Sequence, residues 1–109
     1  MLTPDRGDLI KMDFDNTIGH EIRDYRRALV LSPNSYNGKV GLAVVCAITT
    51  QVKGYPFEVN LPDGLAVTGV VLSDQIRTID WQVMNIQIVD KAPPEVIAQV
   101  QENIQNLIL

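Results

Sequence analysis

Three residues of this chain carry side chains that acid–base chemistry at a phosphate group needs. Glu21 and Arg26 lie in the polar segment GHEIRDYRRA, and Thr49 follows an apolar run. A carboxylate can accept a proton, whereas an arginine is charged at neutral pH and is a rigid hydrogen-bond donor. The threonine hydroxyl can hydrogen-bond a phosphate oxygen. The set therefore offers a proton acceptor, a cationic donor and charge stabilisation without a metal ion.

Short β-strands are predicted for most of the chain. Ile10, Met12 and Phe14 alternate with polar residues, which is the period-two pattern of a half-buried strand. Residues 41–48 are apolar throughout, as expected for a strand covered on both faces. Further strands are predicted at residues 28–31, 55–61, 67–72, 76–79 and 83–89.

An amphipathic helix is predicted at the end of the chain, after the start signal Pro93-Pro94-Glu95. Its apolar stripe comprises Ile97, Val100, Ile104, Leu107 and Ile108. At 109 residues, the chain has room for one core, so we expect a single domain spanning residues 1–109. Several short strands followed by one helix predict a mainly β fold, a small bent sheet or open barrel that the helix closes on one side.

Composition narrows the function classes. No run of about 18 apolar residues is present to span a bilayer, and the N-terminus shows no secretory signal, so a cytoplasmic protein is expected. The single cysteine, Cys46, can form neither an intrachain disulfide nor a cysteine-based metal site. The glycines form no phosphate-cradling motif, which disfavours nucleotide-cofactor enzymes. Asp13 and Asp15 lack further ligands and are interpreted as a solvated acidic face, so we predict no metal and no cofactor.

The net charge of −4 disfavours nucleic-acid binding through overall electrostatics. The placement of charges partly reverses this argument. Arg23, Arg26 and Arg27 fall within five consecutive positions, and Lys53 and Arg77 flank other predicted loops. The sequence is therefore also compatible with a local basic groove on an otherwise acidic protein.

Three segments together resemble the MazF/PemK family of ribosome-independent endoribonuclease toxins of type II toxin–antitoxin systems. They are GDLIKMDFD, RALVLSPNSYN and ITTQVKGYPFEV, and the similarity extends over nearly the whole chain. The resemblance implies an SH3-like small β-barrel with a C-terminal helix. It also implies sequence-specific, metal-independent cleavage of single-stranded RNA, chiefly mRNA, in which the RNA's own 2′-hydroxyl attacks. The products would be a 2′,3′-cyclic phosphate and a 5′-hydroxyl.

The resemblance implies that Glu21, Arg26 and Thr49 are catalytic, because they match the family's acidic, arginine and threonine positions. Glu21 is the better general base, whereas Arg26 would stabilise the pentavalent phosphorane and protonate the leaving 5′-oxygen. Residues predicted to bind RNA are Arg23, Arg27, Thr50, Gln51, Lys53, Gln75 and Arg77.

The family also implies a homodimer and a cognate antitoxin whose acidic, flexible C-terminal tail occupies the RNA groove. Three positions depart from the usual family loop: Ile22 replaces Gln, Asp24 replaces Gly and Arg27 replaces Pro. These departures either weaken activity or add a phosphate contact. Two alternatives stay open, namely a catalytically weakened antitoxin-binding or autoregulatory module and, more distantly, a gyrase-poison toxin. The RNA recognition sequence and the antitoxin's identity cannot be derived from this sequence.

Four further aromatic or titratable residues have a structural interpretation beside a functional one. His20 is interpreted as an exposed loop imidazole, with a role as acid or base as the open alternative, and Trp81 is interpreted as a packing anchor. Tyr55 and Phe57 offer surface on which unpaired bases stack, but they share one predicted strand face. We therefore expect at least one of them, with Phe57 favoured, to belong to the core.

Overall fold

The computed structural model describes residues 2–12 and 26–109. Within these residues the chain forms six strands and two helices. In chain order they are β1 (Asp8–Lys11), β2 (Arg27–Val30), α1 (Asn34–Val40), β3 (Ala43–Thr49), β4 (Glu58–Asn60), β5 (Val70–Ile79), β6 (Gln87–Lys91) and α2 (Pro94–Ile108).

The strands form one antiparallel sheet in the order β4-β5-β3-β2-β1-β6. The predicted mainly β fold with a C-terminal helix is thereby confirmed. Among the described residues the edge strands β4 and β6 do not pair with each other, so the sheet is open at that point. No described helix combines the length and apolarity that crossing a membrane requires.

Apolar side chains cover both faces of the sheet. One face, which includes Leu29 and Cys46, packs against Val96 and Val100 of α2. The other face includes Val45 and packs against the apolar side chains of the turn that follows β5. Strand β3 is therefore buried on both sides, as its unbroken apolar sequence predicts.

Helix α2 begins at Pro94, and Pro93 is its N-cap residue. Proline suits the first helical position because its backbone has no N–H to leave unpaired. The apolar stripe extends beyond the core, since Leu107 and Ile108 are exposed. The predicted helix is confirmed, but only its first three turns carry buried or half-buried apolar residues.

Strands β3 and β5 pair unequally. Cys46 lies opposite Ile76, and Ile48 lies opposite Val71, so that Ala47 alone faces residues 72–75 of β5. Extra residues on one strand form a β-bulge, which bends the strand and leaves the added residues outside the ladder. The two strands predicted at 67–72 and 76–79 are thus one strand with this irregularity.

The sequence prediction misses helix α1, and the physical reason is a cap that lies far away in the sequence. Its N-cap residue, Pro33, provides no side-chain hydrogen bond. The backbone N–H of Asn34 instead donates to Asp5 Oδ1 at 2.9 Å. This bond and one from the Arg6 N–H lower the pKa of Asp5. Because the acceptor comes from the other side of β1 and β2, no local motif marks this helix start.

Two predicted strand boundaries are wrong. The strand expected at residues 55–61 is reduced to Glu58–Asn60, because residues 56 and 57 form a turn. The strand expected at 83–89 begins only at Gln87, since the preceding residues form a turn closed by the Met84 N–H donating to the Asp80 carbonyl at 3.0 Å.

Buried Asn37 joins the N-terminal segment, α1 and the turn after β5. Its Nδ2 donates to the carbonyls of Pro4 and Ser32 at 2.8 and 2.9 Å, and its Oδ1 accepts from Ser32 Oγ at 2.6 Å. The Trp81 indole N–H donates to the Asn37 carbonyl at 3.1 Å. Trp81 is buried, which agrees with its predicted role as a packing anchor.

Replacing Asn37 should therefore destabilise the protein strongly. We expect Asn37→Ala to lower the free energy of unfolding by about 2–4 kcal/mol, because the carbonyls of Pro4 and Ser32 would lose their buried donor. Urea denaturation measures the change. The control Asn106→Ala, at an exposed position of α2, should stay within about 0.5 kcal/mol of the parent protein. Equal stability of the two variants would contradict the role of Asn37.

Candidate functional site

An open groove of about 630 Å³ lies on the sheet face opposite α2. Its walls are the end of β3, the loop of residues 50–57 and the bulged part of β5. It is lined by Ala47, Thr49, Thr50, Gln51, Lys53, Tyr55, Phe57, Glu58, Leu72, Asp74, Gln75 and Arg77.

Thr49 places a hydroxyl at the point where β3 ends. Its Oγ1 accepts a hydrogen bond from the Gln51 N–H at 3.1 Å, and its side chain lines the groove. A hydroxyl that accepts one bond can still donate its own proton to a ligand oxygen. Thr50, Gln51 and Lys53 follow on the exposed rim. The structure thus brings these four predicted site residues together.

Gly69 allows the chain to pass directly over the end of β3. Its φ of +113° is a conformation that side chains rarely adopt. A Cβ added there would overlap the carbonyl oxygen of Thr49 and lie 2.8 Å from its carbonyl carbon. The position of Thr49 therefore depends on a residue without a side chain at position 69.

The third wall comes from the β5 bulge. Asp74, Gln75 and Arg77 are exposed and line the groove, whereas Ser73 is buried. Ser73 Oγ accepts a hydrogen bond from Asn103 Nδ2 of α2 at 3.1 Å, which ties the bulge to the helix. Gln75 and Arg77, both predicted to face substrate, therefore share the groove with Thr49.

Two aromatic rings lie at the mouth of the groove. Tyr55 and Phe57 stack with ring centroids 5.4 Å apart and an interplanar angle of 19°. Tyr55 is 51% exposed, and Phe57 is half-buried. The expectation that Phe57 belongs to the core is wrong, because a turn rather than a strand carries both residues and directs them into the groove.

Arg26 and Arg27 do not line the groove in the structure. The antiparallel register nevertheless relates Arg26 to Thr49. Ala28 lies opposite Ala47, which is the last pair of the ladder on that side. Continued two residues further, the same register would set Arg26, which directly precedes β2, opposite Thr49. Directly opposed residues share one sheet face. Strand alternation continued beyond β2 therefore assigns Arg26 to the groove's face of the sheet, whereas Arg27 belongs to the other face.

Several predicted residues fall outside the described part of the chain. They are Asp13, Asp15, His20, Glu21 and Arg23. Among the described residues, no group of three or more His, Cys, Asp or Glu side chains could hold a metal ion. Burial raises the pKa of the Cys46 thiol to about 12, so at neutral pH this cysteine is protonated and unsuited to be a nucleophile.

Sequence reasoning missed Glu58 and Asp74 as groove residues. Glu58 directly follows the Gly-Tyr-Pro-Phe segment, whose glycine and proline are typical of a turn, so the sequence could have placed its carboxylate beside that turn. Asp74 carries no comparable signal, because its exposure on this face results from the bulge in β5.

Comparison with known proteins assigns the chain to a family. The profile of the PemK-like, MazF-like toxins of type II toxin–antitoxin systems matches residues 5–108. The chain belongs to this family. The resemblance of the three sequence segments is therefore confirmed.

Individual members of the family match over most of their length. The chain is 44% identical over 105 residues to the endoribonuclease toxin MazF of Escherichia coli strain K12, covering 96% of this chain and 94% of the relative. It is 31% identical over 100 residues to the endoribonuclease PemK of Escherichia coli, covering 88% of this chain and 75% of the relative.

A crystal structure of MazE–MazF from Deinococcus radiodurans (form I) superposes on the chain with a TM-score of 0.87. The two chains are 39% identical, and the match covers 99% of this chain and 98% of the other. The mainly β fold with a C-terminal helix is thus that of a MazF family member.

Gly69 provides a test of how the groove wall is built. We expect Gly69→Ala to lower the free energy of unfolding by about 1–3 kcal/mol more than Gly64→Ala does, as measured by urea denaturation. Both glycines have positive φ, but a Cβ at Gly64 would meet nothing within 4 Å. Both alanine variants therefore share the backbone strain of a positive φ, and the difference between their stabilities reports the overlap with Thr49. An equal loss of unfolding free energy in the two variants would refute the close approach of Gly69 to the Thr49 carbonyl.

Proposed function

We propose that this protein is a sequence-specific endoribonuclease that cleaves single-stranded RNA, chiefly mRNA, in the groove at the end of β3, and that it acts as the toxin of a toxin–antitoxin pair. The observation that carries the proposal is the convergence of Thr49, Gln51, Lys53, Gln75 and Arg77 on one open groove. Relatives that match nearly the whole chain are endoribonucleases by name, which supports the same activity.

The proposed reaction needs no group beyond the protein's side chains and the RNA. Glu21 accepts the proton of a 2′-hydroxyl, and the resulting alkoxide attacks the adjacent phosphorus. Arg26 stabilises the negative charge of the phosphorane and gives a proton to the departing 5′-oxygen. The proton that Glu21 took from the 2′-hydroxyl then restores the charged guanidinium. Thr49 donates its hydroxyl proton as a hydrogen bond to a phosphate oxygen. The bond from phosphorus to the 5′-oxygen breaks, leaving a 2′,3′-cyclic phosphate and a 5′-hydroxyl.

The strand register supports this assignment for Arg26. The register of β2 and β3, continued beyond its last pair of Ala28 and Ala47, would set Arg26 opposite Thr49, where one phosphate could contact both side chains. Arg27 lies on the other sheet face and has Lys11 as its partner in β1, so its proposed phosphate contact is at the rim of the site. Arg23 is assigned a similar phosphate contact from the sequence cluster alone.

The rest of the groove suits an unpaired strand of RNA. Lys53 and Arg77 supply cationic groups for phosphates, and Thr50, Gln51 and Gln75 supply hydrogen-bonding groups for base edges. The exposed ring of Tyr55 offers a surface on which a base can stack, worth about 1–3 kcal/mol per base. Base stacking on aromatic rings is open only to nucleotides that are not already in a duplex, which explains the preference for single strands.

We further propose a cognate antitoxin as the protein partner, with an acidic, flexible tail that occupies the same groove. The Deinococcus radiodurans relatives were solved as MazE–MazF, which supports a partner of this kind. A carboxylate-rich tail would contact Lys53 and Arg77 in place of phosphates. A homodimer and a cytoplasmic location are proposed with it on family grounds.

Cleavage of a long single-stranded RNA by the purified protein tests the function. We expect discrete cuts at a recurring short sequence, in the presence of EDTA, with 2′,3′-cyclic phosphate and 5′-hydroxyl ends identified by end mapping. The same RNA annealed into a duplex should resist cleavage. Absence of cleavage across varied sequences would favour the antitoxin-binding module, and strict dependence on magnesium would refute the proposed chemistry.

Variants of the proposed catalytic residues test the mechanism. We expect Glu21→Gln and Thr49→Val each to reduce the single-turnover cleavage rate by about 10²-fold or more, because each removes a group that acts in the transition state. Binding of an RNA with a 2′-deoxy group at the mapped cut should change little for Glu21→Gln. The matched controls Glu102→Gln and Thr78→Val lie outside the groove and should cleave normally. Near-normal turnover of Glu21→Gln would exclude it as the base.

A further inference from the structure

The loop of residues 50–57 forms one wall of the groove without support from the core. Residues 50–56 are all exposed, so apolar packing cannot determine their shape. This loop nevertheless carries Lys53 and Tyr55, which line the groove. Apart from the stacking of Tyr55 on Phe57, hydrogen bonds are therefore the contacts that can hold these two residues in place.

Glu58 supplies most of those bonds. Its Oε1 accepts from the Gly54 N–H at 2.9 Å, and both carboxylate oxygens lie 3.2 Å from the Lys53 nitrogen, whose N–H they accept. Its own backbone N–H donates to the Tyr55 carbonyl at 3.1 Å, closing the turn through Pro56. One residue thus contacts the loop at three consecutive positions.

The geometry of the loop matches an anion site. Gly54 has a φ of +81°, and successive N–H groups around a left-handed residue converge on one point. In this protein the anion is the Glu58 carboxylate, which belongs to the strand that follows the loop. Hydrogen bonds to a charged acceptor are roughly twice as strong as neutral ones, so the carboxylate is well suited to hold an exposed loop.

We propose that Glu58 is a positioning residue that presents Lys53 and Tyr55 to the RNA strand. The inference rests on the proposed function and deepens it, because it assigns to an acidic residue of the groove a favourable part in binding a polyanion. Glu58 itself contacts no substrate. Its effect passes through the Lys53 ammonium group, which meets a phosphate, and through the Tyr55 ring, which meets a base.

The electrostatic role and the positioning role of Glu58 predict opposite changes in RNA affinity when its carboxylate is removed. A carboxylate beside a phosphate chain repels it, so removing the charge alone should strengthen RNA binding. If the carboxylate holds the loop, its removal should weaken binding despite the smaller negative charge. The sign of the change therefore decides between the two roles.

The experiment compares Glu58→Ala with Glu58→Gln. Both variants remove the same charge, but the glutamine keeps one carbonyl oxygen that can accept from the Gly54 N–H. We expect Glu58→Ala to raise KM about 10-fold with kcat changed less than about 3-fold, and Glu58→Gln to restore KM to within about 3-fold of the parent value. The control Glu102→Ala, on an exposed turn of α2, should leave both constants unchanged.

Two further measurements separate positioning from direct contact. Amide hydrogen exchange at Lys53 and Gly54 should accelerate in Glu58→Ala and stay nearer the parent rate in Glu58→Gln. In a Lys53→Ala, Tyr55→Ala background, Glu58→Ala should raise KM less than about 3-fold further, because the groups it positions are gone.

Tighter RNA binding by Glu58→Ala, or equal KM values for the alanine and glutamine variants, would overturn the inference while leaving the proposed function intact. Unchanged amide exchange in Glu58→Ala would overturn it as well. If the parent protein cleaves no RNA, the proposed function fails first, and the substrate part of this inference fails with it. The cleavage assay on the parent protein alone is enough to recognise that failure.

Discussion

Unequal pairing between β3 and β5 is the constraint on which the groove depends. Ala47 alone faces residues 72–75, so those residues cannot all stay in the ladder. The chain turns Ser73 inward, where Asn103 of α2 binds its hydroxyl, and turns Asp74 and Gln75 outward into the groove. The Ser73 N–H donates to the Phe57 carbonyl at 3.2 Å. One irregularity thereby connects the helix, the bulge and the loop before β4.

Local charge matters more than net charge for this protein. The chain carries a net charge of −4, but exposed charges farther apart than about 8 Å are largely screened at physiological salt. The groove itself mixes Lys53 and Arg77 with Glu58 and Asp74. The Glu58 carboxylate accepts the N–H groups of Lys53 and Gly54, so this acidic group of the groove is paired with the backbone of the loop that carries Lys53.

Sequence reasoning succeeded where the signal is local and continuous. The apolar run of β3 and its end at Thr49 could be predicted, as could α2, because periodicity and prolines mark them directly. Sequence reasoning failed where a structural element depends on residues that are far away in the sequence. Helix α1 is capped by Asp5, far back in the sequence, and the β5 bulge exists only relative to β3. Gln75 and Arg77 could be proposed as groove residues from the sequence. The bulge that exposes them could not be predicted, because it depends on the pairing with β3.

The register of β2 and β3 also distinguishes between two adjacent arginines. Side chains alternate along a strand, so Arg26 and Arg27 cannot both lie on the face of Thr49. With Ala28 opposite Ala47 and Leu29 opposite Cys46, the alternation continued beyond β2 assigns Arg26 to the groove's face. A slip of one residue would exchange the two arginines and move the Ala28 and Val30 side chains to the face that α2 covers. Packing of those apolar residues on both faces therefore determines which guanidinium accompanies the Thr49 hydroxyl, so the stability of the core and the geometry of the proposed active site rest on the same register.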